Sequence, residues 1–507
     1  IQVLFSHPCL YFTTILLLSL CHSLDIKKYR EKRAHFLFEE SQYALGGRIV
    51  LNDKEATVNN CLMQHKFNEY DYAFDNPQYF NFSRHFFSYK DAIQQSKVYR
   101  IIKDMPKGGV LHVHDMGILS ADYLLNVTYM KNLYVCFGIG SVSLKFADHT
   151  PNISCDGQWK LMSQVRQAAP NKKEFDADLK KHFSIVVDNP DIAYPCIKDT
   201  WDAFMKYFAT VQPMLSFRPV WEQYFYDALK KFREDNIMYV EVRSILPNLY
   251  ELDGTTYDPI ITAKAYRKVI KAFVKDHPDF IGAKLIYAPP RQVVRETLTQ
   301  YLDIARKIKA DMPDIFAGFD LVGQEDLGKP LIEFVPQLLE ASKDFTYFFH
   351  AGETDWYGTL TDNNLVDAIL LGAKRIGHAY ALPKHPLLVE EIVQKEIAIE
   401  VNVISNAVLS LVRDLRNHPL SYFISEGLPV VLSSDDPGAW GADTISDDYY
   451  VAFVAVASRL SDLRLLKTLV LNSIKYSSLQ DELKGKAMRK LEVRWNHFIN
   501  TFNCSRY

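Results

Sequence analysis

The chain has 507 residues, of which 48% are hydrophobic and 23% charged, so it has material for a large packed core. Lys and Arg total 58 against 61 Asp and Glu, a net charge of −3. These figures exclude disordered, collagen-like and small disulfide-scaffold classes, and they leave no electrostatic case for nucleic acid as the main partner. From Ile1 to Leu24 there is no Asp, Glu, Lys or Arg. The apolar middle of that stretch is shorter than the roughly 20 residues a membrane span needs. It reads as a secretory signal over residues 1–23, cleaved after Ser23, with an uncleaved anchor as the alternative. A starting Met and a basic flank are missing, as a clipped start would leave it. No later stretch is apolar enough to span a membrane, so no span is expected and the localisation reads as secreted, extracellular.

Residues 24–100 carry helical patterns over 27–40 and 53–67. They fit an extension packed on the main domain and a dimerisation arm equally. Without Cys9 and Cys21 of the signal, the cysteines are Cys61, Cys136, Cys155, Cys196 and Cys504. No C-x-x-C occurs, so a thiolate metal site is unsupported. Cys136 and Cys155 bracket a stretch with Gly, Ser and Asp and suit a local disulfide. The odd count leaves at least one thiol free or paired between chains. Glycosylation sequons stand at Asn81, Asn126, Asn152 and Asn503.

Beyond residue 100 a strand-then-helix rhythm sets in. Apolar, β-rich runs fall at 110–114, 237–243, 283–288, 315–321, 346–350, 375–378, 398–403 and 430–434, with amphipathic stretches such as 259–276, 295–310 and 330–342 between them. Eight strands, each followed by room for a helix, predict an α/β fold, a (β/α)8 TIM barrel over residues 101–507. The long gap after the first strand predicts an insertion at about 126–186. A doubly wound open sheet would usually carry a Gly-rich phosphate turn, and no G-x-G-x-x-G is present.

In such barrels the chemistry sits at the C-terminal ends of the strands. The first strand ends His112-Val113-His114-Asp115, and period-2 alternation puts both imidazoles on one side. The fifth ends His350-Ala351-Gly352-Glu353, the sixth Gly377-His378, and the eighth Ser433-Ser434-Asp435-Asp436-Pro437. Singly, each reads as a hydrogen-bonded histidine or a helix-capping Asp. Together, three neutral imidazoles and a carboxylate suit one Zn²⁺ per chain with an open position.

In this order, H-x-H, H-A-G-E, G-H and S-x-D-D-P resemble the adenosine deaminases of the amidohydrolase superfamily. The chain more closely resembles the secreted adenosine deaminase-related growth factors, the type 2 class. Met105-Pro106-Lys107-Gly108-Gly109, Tyr239-Val240-Glu241-Val242-Arg243 and Gly318-Phe319-Asp320-Leu321-Val322-Gly323 add to the likeness, which runs from about residue 30 to the end.

The resemblance implies zinc held by His112, His114, His350 and Asp435. His378 would accept the water's proton or steer the hydroxide, and a protonated Glu353 would donate to the purine N1. Asp436 would meet N7, the Gly323 backbone N3 and Asp115 the ribose. Trp201, Phe204 and Phe208 would lie on a helix covering the nucleoside. It also implies a homodimer through the N-terminal helical arm, a disulfide-bearing insertion, and conversion of adenosine and 2′-deoxyadenosine to inosine and 2′-deoxyinosine plus ammonia. Depletion of extracellular adenosine and a growth-factor activity would follow. One position departs: family members often carry a His before the Arg at the end of the third strand, and here Pro290 precedes Arg291, which puts ribose affinity in question.

The alternatives are the same barrel acting on another aminopurine nucleoside or nucleotide, a growth factor or receptor ligand using the barrel as a scaffold, and a glycan-binding protein. Only Arg243 and Arg291 lie near strand ends, and Arg243 reads as a brace for the barrel, which argues against phosphate recognition. The H-x-E and P-C-x-x-C patterns of base-flipping deaminases are absent.

Overall fold

Eight parallel strands carry the architecture of the computed structural model, which describes residues 25–507; the predicted signal segment, 1–23, lies outside them. The barrel strands are β1 (Gly108–His114), β5 (Ile237–Ser244), β6 (Gly282–Tyr287), β7 (Phe316–Phe319), β8 (His350–Ala351), β9 (Arg375–His378), β10 (Ala398–Val401) and β11 (Val430–Leu432). They pair in the orders β1-β5-β6-β7 and β8-β9-β10-β11. Two junctions close the ring: a parallel bridge from Phe319 to Tyr347, and one from Val113 to Asp435. At the second, the His114 amide donates to the Asp435 carbonyl (3.0 Å) and the Asp435 amide to the His112 carbonyl (3.1 Å). The eight predicted strands are all present. The fifth is the shortest, because before His350 only Tyr347 finds a bridging partner.

The strands are nearly continuous apolar runs, as expected where helices cover one face of a parallel sheet and side chains fill the other. All eight residues of β5 are buried. The helices follow local rules. The one over Pro259–Asp276 starts with Pro at its first position and Asp258 accepting from the Ile261 amide. The predicted helix at 330–342 begins as a tight turn at Leu331–Phe334 and becomes α-helical over Val335–Ala341, with Pro336 in its first turn where a missing N–H costs little.

The helices that bear on function are α1 (Ile26–Tyr43), α2 (Asp53–Asp75), α3 (Ile197–Leu215), α4 (Val403–Val408), α5 (Leu463–Lys475) and α6 (Asp481–Thr501). The two N-terminal helices differ. α1 buries none of its side chains, whereas α2 packs on α5 and α6. Glu55 of α2 accepts from Lys467 (2.7 Å) and from the Trp495 indole (2.8 Å), and Cys61 is disulfide-bonded to Cys504.

The insertion after β1 contains a three-stranded antiparallel sheet, ordered β3-β2-β4, from β2 (Leu133–Gly138), β3 (Ser141–Phe146) and β4 (Lys160–Leu161). Cys136 and Cys155 are bonded within it, leaving Cys196 as the free cysteine among the described residues. β3 packs on α3. The sequons at Asn126, Asn152 and Asn503 are exposed and Asn81 is half-buried.

Candidate active site at the strand ends

Buried ion pairs fill the barrel beneath the strand ends. Arg375 donates to Glu241 (2.6 Å) and Glu400 (2.5 Å), and Arg243 to Glu400 (2.6 Å) and Asp320 (2.8 Å). Arg243 also caps the carbonyls of Leu111 and Phe348, so it braces the barrel as the sequence suggests. Charges at this depth persist only when paired and fully hydrogen-bonded. Their neighbours hold Asp320 and Glu400 ionised: burial would raise both carboxyls, but the adjacent guanidinium and imidazole groups keep them well below the usual range.

That layer orients the histidines above it. His112 Nδ1 lies 2.7 Å from Glu400 and His350 Nδ1 2.7 Å from Asp320, so each ring donates downward and turns a bare Nε2 towards the cavity. From Asp435 Oδ1, His112 Nε2 is 3.3 Å away and His114 Nε2 3.1 Å. The ring centroids of His112, His114 and His350 lie 4.6–5.4 Å apart. One donor atom from each of His112, His114, His350 and Asp435 falls within 4.8 Å of the other three. Within this buried cluster, His112 Nε2 and Asp435 Oδ1 have no hydrogen-bond partner. Orphaned lone pairs converging on one point are what a divalent metal satisfies, and the N₃O set suits Zn²⁺.

Glu353 and His378 border the same point. His378 Nδ1 is 3.5 Å from Glu353 Oε1, and its Nε2 is 3.9 Å from Asp435 Oδ2. Burial, then the charges of Asp435 and Glu325, push the Glu353 carboxyl well above its ordinary value, so it keeps its proton. Burial also keeps His378 neutral. Both His378 (φ 61°) and Asp435 (φ 57°) sit in the left-handed region, a strain found where side chains are held for function. Behind them, Arg291 donates to the His350 carbonyl (2.8 Å) and to Glu325 (3.0 Å), while Glu325 accepts from the Glu353 amide (2.8 Å).

These groups open into a cavity of about 240 Å³. The structure brings every other predicted substrate contact to its wall: Asp115, Trp201, Phe204, Phe208, Gly323 and Asp436. Asp115 accepts from the Tyr266 hydroxyl (2.6 Å). Asp436 is buried with Oδ1 unpartnered, and burial with the nearby Asp435 charge pushes its carboxyl well above the usual range. Gly323, at φ +107°, could carry a side chain only with strain. Pro290 lines the wall as well. Sequence reasoning gave no role to Asp320, Glu325, Glu400, Ser405, which donates to Asp435 Oδ2 (2.7 Å), or Asn406, which lies 3.1 Å from His378 Nδ1. Only Asp320 stood in a quoted motif; the others meet the site through partners remote in sequence.

A family model described as "Adenosine deaminase" matches residues 190–493, and one described as "Adenosine/AMP deaminase N-terminal" matches residues 9–102. Adenosine deaminase of Aedes albopictus is 43% identical over 474 residues, covering 93% of this chain and 88% of that protein. Human adenosine deaminase 2 is 41% identical over 476 residues, covering 92% and 93%. Among solved structures, an amidohydrolase of Burkholderia ambifaria with bound zinc matches at TM-score 0.54 and 18% identity over 80% of this chain and 94% of its own, a likeness of fold. The barrel thus shares its fold with that amidohydrolase. Within that fold class, the chain belongs to the adenosine deaminase family, and its similar relatives include enzymes named adenosine deaminase 2.

Proposed function

We propose that this protein is an extracellular, zinc-dependent adenosine deaminase that hydrolyses adenosine and 2′-deoxyadenosine to inosine and 2′-deoxyinosine with release of ammonia. The observation that carries the reading is the convergence of His112, His114, His350 and Asp435 on one point, with Glu353 and His378 beside it in one cavity. Zinc held by those four residues supplies Lewis-acid activation of water near neutral pH. The chain's own groups do the rest. Glu353, kept protonated by burial, donates to the purine N1 as C6 becomes tetrahedral. His378 accepts the water's proton or steers the attacking oxygen. Asp436, its carboxyl also protonated, donates to N7, and the Gly323 backbone meets N3. Asp115 holds the ribose, and Trp201, Phe204 and Phe208 exclude water from above. Pro290 offers no donor to the sugar, which fits an enzyme that accepts both ribose and deoxyribose.

Two disulfides among the described residues suit an oxidising compartment, which supports secretion, with sugars on Asn81, Asn126, Asn152 and Asn503. On α1, Tyr29, Phe36, Phe38 and Tyr43 are exposed apolar side chains on a helix that buries nothing, which supports a homodimer through this arm. Depletion of extracellular adenosine would account for a growth-factor activity.

The test is the fall in ultraviolet absorbance as adenosine becomes inosine, followed before and after chelation and restored by zinc. We expect metal-dependent turnover and a loss of at least about 10²-fold in kcat for Glu353→Ala, the range for removing a general acid. No conversion by a folded, zinc-loaded protein would move the assignment to another substrate of the same site.

A further inference from the structure

The reading above leaves His378 two roles, removing the water's proton or holding the attacking oxygen. A chain of buried hydrogen bonds behind the ring distinguishes them. His378 Nδ1 lies 3.1 Å from Asn406 Nδ2, and Asn406 Oδ1 lies 3.0 Å from His418 Nε2. His418 Nδ1 in turn accepts from the Leu420 amide at 3.0 Å. Asn406, on α4, is 1% exposed; His418, ahead of the short helix Leu420–Ser425, is 2% exposed. Water therefore does not replace these partners.

The donor and acceptor inventory fixes each member in turn. The Leu420 N–H can only donate, so His418 Nδ1 is the bare nitrogen of its ring. Burial holds that ring neutral, with a pKa lowered to about 3. A neutral imidazole has one N–H, which must then be on Nε2 and donates to Asn406. The Asn406 amide can face His418 only with its oxygen, so its NH₂ faces His378. Turning the amide over would set an NH₂ against the His418 N–H, donor against donor, and lose that bond with no water to replace it. His378 Nδ1 is thus an acceptor, and the proton of its neutral ring is on Nε2. The other group near Nδ1, Glu353 Oε1 at 3.5 Å, is beyond good hydrogen-bond range.

We infer that Asn406 and His418 are positioning residues that lock His378 in its Nε2–H form, so that it presents a hydrogen-bond donor, and not a base, to the attacking oxygen. The same state requires one further amide assignment. Asn402 stands with Nδ2 3.4 Å from His378 Nε2 and its Oδ1 unpartnered; with that amide turned over, the oxygen accepts from the Nε2–H until substrate and water enter. Unturned, the Asn402 Nδ2 would donate to the bare Nε2 of an Nδ1–H ring, so it is the chain through Asn406 and His418 that decides between the two forms. The inference rests on the deaminase reading for its consequence, though not for its geometry.

The test separates the two. In zinc-loaded protein carrying ¹⁵N-histidine, long-range ¹H–¹⁵N correlations assigned by His378→Gln and His418→Gln should give a pyridine-type Nδ1 and a pyrrole-type Nε2 for both rings. Asn406→Asp, which offers only acceptors, should move the His378 proton to Nδ1. It should lower kcat for adenosine by about 10–100-fold, the range for groups that orient an active-site ring, with KM within about twofold and zinc content unchanged. His418→Phe should lower kcat similarly, and His418→Gln, whose amide can still donate to Asn406, should recover most of it. An Nδ1–H signal for His378 in the wild type overturns the inference, and this measurement stands even if every variant fails to fold. A kcat loss that tracks melting temperature while the tautomer stays unchanged also overturns it. If the tautomers are as stated but adenosine is not turned over, the functional reading fails and the relay survives.

Discussion

Gly117 is a glycine because Asp436 occupies the space a side chain would need. A Cβ at residue 117 would lie 1.9 Å from Asp436 Oδ1. Gly117→Ala must therefore push aside the carboxyl assigned to the purine N7, while the backbone bonds tying Asp435 to β1 stay in place. We expect KM for adenosine to rise by about tenfold or more, the cost of one to two kcal/mol of lost polar contact, with zinc content unchanged. An unchanged KM would remove Asp436 from substrate recognition. That the strand-end residues would converge was legible because short motifs mark strand ends, where alternation and barrel geometry say which way they face. Their supports were not. Glu400 reaches His112 across 288 positions and Asn406 reaches His378 across 28, on other elements, and no spacing rule connects such pairs.

At the scale of elements, α3 was expected from the family resemblance alone, and its spacing agrees. Trp201, Phe204 and Phe208 recur at helical spacing and so share a face. That face stacks edge-on, Trp201 to Phe204 at 5.6 Å and Phe204 to Phe208 at 4.8 Å between centroids, above the cavity. Trp201→Ala should open the roof without disturbing the strand ends. We expect kcat/KM to fall by about 3–30-fold, mostly through KM, with Glu353 still essential. A fall confined to kcat would make α3 part of the chemistry instead of its cover. The sheet of the insertion, by contrast, was not predicted, although Ser141–Phe146 alternates half-buried and buried residues as an antiparallel strand should. Strands this short resemble turns until their partner is known, and β4 has only two residues.

For the whole molecule, strand count and the site of the insertion could be read from spacing, but chain closure could not. Five cysteines allow many pairings, and nothing local joins Cys61 to Cys504 across 443 positions. A second closure is ionic. Asp235 accepts from Ser446 and Thr444 and pairs with Lys103 (2.9 Å) and Lys107 (3.5 Å), and Asp443 pairs with the same Lys103, which fastens the segment after β11 to the chain before β1. Asp447 lies beside this network and accepts from the Asp443 amide (2.8 Å), but among the described residues it forms no ion pair, and only the more distant charge of Lys103 favours its ionised form. Burial, reinforced by the charges of Asp443 and Asp235, pushes its pKa up to about 7 from an ordinary 3.8. Between those values the unfolded chain has released a proton that the folded chain retains. Stability must therefore fall as pH rises from about 4 to about 7 and gain nothing from this group outside that window. Asp447→Asn keeps an acceptor for the Asp443 amide and removes the titration. Urea unfolding across the window should find the two proteins close near pH 4 and the wild type behind by on the order of 2–4 kcal/mol near pH 7. Parallel curves would mean that Asp447 ionises in the folded protein without penalty, and that the network reaches it with a cation after all.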